Sequence, residues 1–159
     1  IMEIKIYTDG ACVGNPGPGA WAYVTESVGD GLSNCGYERA TTNNRMELQA
    51  VIEALKSVSA RGKPEIDSTV EVVTDSRYVE GGIMEWIQRW KANGWRTKSG
   101  APVKNQELWQ DLQELKRELE DKGYSIEFRR IRGHSGIELN EACHQLVTEK
   151  IAAGQAVRQ

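Results

Sequence analysis

The sequence predicts an α/β fold: a mixed five-stranded sheet flanked by helices, with three antiparallel N-terminal strands followed by strand-helix alternation. Three observations carry that prediction. The N-terminal part holds three β-rich runs separated by Gly/Pro/Asn/Asp turn signals. After Thr42 the apolar period changes from two to between three and four, then alternates with further strand-like runs. Two of the strand-like runs end alike, in Tyr7-Thr8-Asp9-Gly10 and Val73-Thr74-Asp75-Ser76. An acid directly after a buried strand sits where open α/β sheets place their ligands, outside the carboxyl ends of the strands.

Residues 2–9 read as the first strand. Gly14-Asn15-Pro16-Gly17-Pro18-Gly19 is a turn, residues 20–25 a second strand, Gly29-Asp30-Gly31 a second turn and residues 32–38 a third strand, together an antiparallel meander. Leu48, Val51, Ile52 and Leu55 recur at i, i+3, i+4 and i+7 and predict an amphipathic helix. A loop over 62–67 leads to a buried strand over 69–74 and a short helix over 76–80. Gly81-Gly82 is expected to break that helix before another over 83–92. Leu108, Leu112, Leu115 and Leu119 mark a helix of about three turns. A fifth strand follows over 125–131 and a final helix over 139–151, with Leu139, Cys143, Leu146 and Val147 inward. Residues 1–154 form one domain in this reading, and 155–159 are expected to fray.

A chain of 159 residues, 39% hydrophobic and 27% charged, can bury its own core as a single domain. No apolar run approaches the ~20 residues that span a bilayer, and no basic-apolar signal segment opens the sequence. Cys12, Cys35 and Cys143 are odd in number and lack CxxC spacing, which predicts free thiols in a reducing compartment, the cytoplasm. The net charge of −3 excludes a globally basic nucleic-acid binder but not a local basic patch. One is present: between Trp86 and Asn105 there is no acid, while Arg89, Lys91, Arg96, Lys98 and Lys104 are interleaved with Trp90 and Trp95. Cations neutralise phosphates and indoles stack on sugars or bases, so this segment has the chemistry of a nucleic-acid contact surface. Trp86 and Trp90, four apart, equally suit one helical stripe packed into the core.

Asp9 and Asp75 share one site if their strands are neighbours. Glu47 follows Thr41-Thr42-Asn43-Asn44 at a helix start. Three carboxylates with little other reactive chemistry point to a hard divalent cation held by oxygen ligands. The bland alternatives are a capping pair of Glu47 with Asn44 and ordinary turn roles for the two aspartates.

The order TDG, GNPGPG, TTNNRMEL, TDS, a Trp- and Lys-rich segment with PVKN, and a late GHSG resembles bacterial-type (type 1) ribonuclease H from about Ile4 to Ile151. The resemblance implies a ribonuclease-H-like fold and an endoribonuclease that hydrolyses the RNA strand of RNA–DNA hybrids, leaving 5′-phosphate and 3′-hydroxyl ends. It implies two Mg²⁺ ions, with Mn²⁺ as a substitute, on Asp9, Glu47 and Asp75, and catalysis without membrane association, as a monomer. His134, flanked by Gly133 and Gly136, matches the family's loop histidine, suited to relaying protons or releasing product. Asn15, Asn43 and Asn44 match positions near the substrate backbone, Thr42 one associated with a DNA phosphate, and Gly10 and Cys12 flank the first acid. Arg77 stands where related sequences often have Gln, offering an added phosphate or base contact. Trp86, Lys91, Trp95, Arg96, Lys98 and Lys104 complete the expected substrate surface.

One family position departs. Where an Asp is expected four residues after an Asn in the last helix, Asn140-Glu141-Ala142-Cys143 is followed by His144. Asn140 and His144 are one helical turn apart, so His144 should still face the acids, whereas Glu141 lies on another face. A neutral imidazole ligates transition metals but is a poor ligand for Mg²⁺. His144 is therefore expected either at the metal or merely beside it. The alternative function is a non-catalytic or attenuated hybrid-binding module, disarmed at His144. The three retained acids favour the enzyme, because adjacent acids repel the phosphates a pure binder must hold.

Overall fold

Along β1 (Met2–Cys12), Ile4, Ile6 and Thr8 alternate with Tyr7 and Asp9, and all five are buried. Successive strand residues point to opposite faces, so a strand buried on both belongs in the middle of its sheet. The computed structural model, which describes residues 2–26, 32–133 and 137–157, has it there. The sheet order is β3-β2-β1-β4-β5. β2 (Gly17–Glu26) and β3 (Ser33–Thr41) run antiparallel, while β4 (Ser68–Thr74) and β5 (Tyr124–Arg130) are parallel to β1 and to each other, respectively.

Helix α1 (Asn43–Ser59) buries Leu48, Val51, Ile52, Leu55 and Val58 on one face of the sheet. The same core takes Leu108, Trp109, Leu112 and Leu119 of α4 (Gln106–Asp121). The opposite face is covered by α5 (Glu138–Val157), whose Cys143, Val147 and Ile151 meet Ala20 and Ala22 of β2. No described helix is long and apolar enough to cross a membrane, and all three cysteines are free thiols.

Several expectations are corrected by packing. β1 does not stop at Asp9 but continues to Cys12 through its antiparallel pairing with β2. β3 extends to Thr41, and α4 is longer than three turns, with 16 residues. Gly81-Gly82 is no break: α2 (Arg77–Gly81) runs through a π-helical turn (Gly82–Trp86) into α3 (Ile87–Ala92). The glycine at 82 is there for space, since a Cβ would lie 2.0 Å from the Trp109 ring. α5 runs past the expected end at 151 to Val157, with Gly154 set against the ring of Tyr37. The helix cap at α1 is Thr42, whose hydroxyl accepts from the Arg45 N–H at 3.2 Å, and not an Asn44–Glu47 pair. The expected Gly29-Asp30-Gly31 turn lies outside the described residues.

Candidate metal centre

The parallel pairing of β1 with β4 ends at Tyr7 and Val73. Asp9 and Asp75 each lie two residues beyond that last pair, so one register places both acids at the same end of adjacent strands. The third acid comes from the first turns of α1. Gly10 makes that approach possible: a Cβ there would lie 2.3 Å from the Met46 carbonyl carbon and 2.5 Å from the Glu47 nitrogen. A side chain at 10 would push α1, and Glu47 with it, away from β1. As a result Asp9, Glu47 and Asp75 each offer a carboxylate oxygen within 4.8 Å of the others. Gly133, after β5, closes in on the same point, where a Cβ would be 3.1 Å from Asp75 Oδ2.

Three carboxylates this close do not all ionise freely. Burial, and then repulsion from Asp75, push the Asp9 carboxyl up to about 6, against the opposing pull of the Gly10 N–H and of His144. Burial, and then the charges of Asp9 and Asp75, hold the Glu47 carboxyl well above its usual range. Glu47 Oε2 is buried and has no hydrogen-bond partner. A buried carboxylate oxygen without a donor is costly, and a divalent cation between the acids supplies what it lacks. The donor set, all hard oxygen on rigid backbone, fits such an ion.

His144 is where helical spacing puts it. Tyr7 and Asp9 share the face of β1 that α5 covers, and Cys143 anchors the helix there by donating its thiol hydrogen to the carbonyls of Ala22 (3.2 Å) and Tyr7 (3.5 Å). Burial holds that thiol well above its usual range, so Cys143 is a packing group rather than a nucleophile. The next residue, His144, brings Nδ1 to 3.3 Å from Asp9 Oδ2. Asn140, one turn earlier, is buried. His134 lies outside the described residues.

Beside the acids, three residues form a knot. The Asn15 side-chain oxygen accepts from the Asn43 backbone N–H at 3.0 Å and from the Cys12 thiol at 3.4 Å, and the Asn43 side-chain oxygen accepts from the Cys12 N–H at 2.7 Å. With both side-chain oxygens engaged, the amide N–H groups are the two asparagines' remaining side-chain hydrogen-bonding groups. Thr42, by contrast, spends its hydroxyl on the helix cap. Asn44 and Arg77 are exposed at the starts of α1 and α2.

The basic segment is a lobe standing on an aromatic chain. Trp86, Trp90 and Trp95 follow one another at ring separations of 6.0 and 6.1 Å, and Trp90 rests on buried Trp109 at 5.6 Å. Tyr78 joins the chain, its hydroxyl accepting from Trp109 Nε1 at 2.9 Å and from Asn105 Nδ2 at 3.1 Å. Trp95 has φ of 61°, a left-handed conformation unfavourable for a residue with a Cβ, held by its N–H to the Trp90 carbonyl at 2.7 Å. Trp90 and Trp95 pack against the core, and Trp86 and Trp90 border a cavity of about 270 Å³ whose lining includes Arg89, Arg96 and Lys98. Lys91 does not join them. It lines a separate groove against α4 with Gln88, Gln113 and Glu114, because residues 88 and 91 occupy a different face of the helix from 86, 89, 90 and 93. Lys104 is exposed.

Arg89, one of the cations of the basic segment, lines the cavity with Arg96 and Lys98. One residue outside the expected site helps to shape it. Arg45 donates to Glu107 at 2.7 Å and to Asn105 at 3.0 Å, locking the start of α1 to the start of α4. Nothing in the local sequence pairs residues so far apart.

The comparisons agree with this geometry. A family model described as RNase H matches residues 2–152. A ribonuclease H of Treponema denticola is 46% identical over 159 aligned residues, covering 93% of this chain and 96% of its own length. One of Polaromonas naphthalenivorans is 49% identical over 150 residues, covering 94% and 88%. Among solved structures, LC9-RNase H1, a type 1 RNase H with the type 2 active-site motif, matches with a TM-score of 0.77 at 32% identity, covering 96% of this chain and 73% of that one. LC11-RNase H1, solved in complex with RNA/DNA hybrid, matches at 0.69 and 29% identity, covering 96% and 99%. A match of this length, on a sheet that gathers Asp9, Glu47 and Asp75 at one end, leaves one assignment: the chain belongs to the ribonuclease H family, in its type 1 branch, and is a nuclease.

Proposed function

We propose that this protein hydrolyses the RNA strand of RNA–DNA hybrids with two Mg²⁺ ions, Mn²⁺ substituting, and leaves 5′-phosphate and 3′-hydroxyl ends. The observation that carries the reading is the acid trio within 4.8 Å, with a buried Glu47 oxygen lacking any donor. Asp9, Glu47 and Asp75 would hold the ions, which supply activation of the attacking water and stabilisation of the leaving 3′-oxygen. The rest falls to the chain's own groups. Strand ends and the first turn of α1 keep the carboxylates fixed before substrate arrives, so little is lost in ordering them. The side-chain N–H groups of Asn15 and Asn43, with Asn44, meet the hydrogen-bond acceptors of the RNA strand in its shallow minor groove, where the 2′-hydroxyl distinguishes RNA from DNA. Thr42 and Arg77 touch flanking phosphates. His134 moves a proton on or off the cleaved strand, its ordinary pKa lying near neutrality. Arg89, Arg96 and Lys98 neutralise phosphates on the far side of the hybrid while Trp86 and Trp95 pack against its backbone. LC11-RNase H1, bound to RNA/DNA hybrid in its solved structure, supports the same substrate here.

Incubation with an end-labelled hybrid and with each single strand, in Mg²⁺ and then Mn²⁺, tests this. Cleavage of RNA in the hybrid alone, with 3′-hydroxyl products that a polymerase extends, is expected. Binding without cleavage in either ion would instead favour the hybrid-binding module that His144 makes conceivable.

A further inference from the structure

We propose that His144 is a nitrogen donor to the metal centre, and that it tilts this site's preference from Mg²⁺ toward borderline first-row transition ions. The inference rests on the reading of Asp9, Glu47 and Asp75 as metal-holding acids and adds a chemically different ligand beside Asp9, on an ion that Asp9 and His144 share, since the 4.8 Å cluster itself comprises the three acids and not the imidazole.

The placement is specific. His144 lies on the one turn of α5 that Cys143 pins to β1 and β2 through its thiol contacts to Tyr7 and Ala22. Its Nδ1 is 3.3 Å from Asp9 Oδ2. Two donors on one small ion, at bonds of about 2.1 Å and near-octahedral angles, lie about 3 Å apart. The observed separation therefore suits two neighbouring ligands of a single ion as well as it suits a direct hydrogen bond. The imidazole is half exposed whereas Asp9 is buried, at 48% and 7% side-chain exposure. An ion seated between them thus has protein on one side and room for water or a phosphate oxygen on the other, the open position a catalytic metal requires.

The chemistry follows from donor type. Three carboxylates alone are a hard oxygen set that serves Mg²⁺ and Mn²⁺ alike. A neutral imidazole adds no negative charge, so it does little to draw Mg²⁺ from its hydration shell. It adds a covalent, polarisable nitrogen that binds better along the first-row series from Mn²⁺ to Co²⁺. His144 thereby discriminates among ions more than it raises affinity for all.

Calorimetric titration of the substrate-free protein with Mg²⁺, Mn²⁺ and Co²⁺ tests this, in the natural chain and in His144→Asp, His144→Ala and Asp75→Asn. The expected result is a ratio of Co²⁺ to Mg²⁺ affinity that falls tenfold or more in His144→Asp, with Mg²⁺ binding improved and Co²⁺ binding weakened. Pulsed electron paramagnetic resonance of the Mn²⁺-loaded natural chain should show coupling to an imidazole nitrogen, absent in His144→Ala. Far-ultraviolet circular dichroism establishes that each variant is folded. No nitrogen coupling, together with an unchanged affinity ratio in His144→Asp, would overturn the inference while leaving the acids in place. Undiminished ion binding in Asp75→Asn would overturn the carboxylate reading and this inference with it.

Discussion

The acid centre and the basic lobe are built on opposite plans. The centre takes its three carboxylates from within β1, from just past β4 and from the first turns of α1, holds Asp9 almost fully buried, and leaves little freedom in their placement. The lobe exposes its cations and rigidifies only its aromatic floor, the chain from Tyr78 through Trp109 and Trp90 to Trp86 and Trp95. Chemistry at a phosphorus atom requires positions fixed to a fraction of an ångström. Holding a polyanion requires only charge of the right sign at roughly the right place. The division of burial between the two regions follows from that difference in tolerance.

The comparison breaks most readily at the acids. Asp9→Asn or Asp75→Asn should lower hybrid cleavage by about a thousandfold or more, since several kcal/mol of metal-mediated stabilisation is lost and each 1.4 kcal/mol is a factor of ten. Hybrid affinity and the circular dichroism spectrum should survive. Turnover close to that of the natural chain at saturating Mg²⁺ would remove these residues from the metal site.

The lobe gives a graded response. Replacing Arg89, Arg96 and Lys98 together with Ala should weaken hybrid binding and reduce the slope of log affinity against log salt by about two to three, one counterion for each phosphate contact. Turnover at saturating hybrid should change little. Lys91→Ala alone should leave the slope nearly unaltered, because its groove faces α4. Equal effects from Lys91 and from the cavity cations would show that the lobe acts as a diffuse field and not through one face.

The smallest effect sharpens the cost side of the acid centre. Between about 4 and 6 the Asp9 carboxyl, raised from 3.8 to about 6, keeps its proton in the folded state and loses it in the unfolded one. The folded state binds more protons there, so metal-free stability falls as pH rises through this window and the loss is complete above about 6. At about 1.4 kcal/mol per pH unit the total is about 2–3 kcal/mol. Asp9→Asn should therefore raise the melting temperature of the metal-free protein near neutral pH and flatten its profile between 4 and 6. Melting curves in chelator over that range measure it. A variant that melts at or below the natural chain across the whole range would show that the acids do not strain the empty site.

What could be read from sequence divides by whether the deciding partner is near in the chain. The repeated β-rich run followed by Thr-Asp gave away Asp9 and Asp75, because strand period is local, although β1 runs on to Cys12 and only Asp75 follows its strand directly. Glu47 was ambiguous: the residues alone offered a helix cap, and only the close approach of α1 over Gly10 turns it toward the other acids. The glycine pair at 81 and 82 misled for the same reason in reverse. It reads locally as a helix breaker, yet Gly82 is a space reserved for a distant ring, Trp109. Lys91 was grouped with the cavity cations because a run of like charge does not reveal which face each one takes, and the π-helical turn over Gly82–Trp86 shifts the helical phase just before it. That His144 faces Asp9 was legible, since one helical turn from Asn140 is a short-range statement.

The central place of β1 in the sheet has a thermal consequence. Amide groups of a strand paired on both sides exchange with solvent mainly when the whole domain opens, whereas the segment from Trp95 to Val103, tied by the Arg96–Pro102 bridge and a few turn hydrogen bonds such as Thr97 N–H to the Ala101 carbonyl, opens at lower cost. Asp9 rides on the former, and Arg96 and Lys98 on the latter. Warming should accordingly loosen the grip before it disorders the chemistry, so that KM climbs over a range of temperature in which kcat keeps rising, and catalysis ends only where the domain itself unfolds.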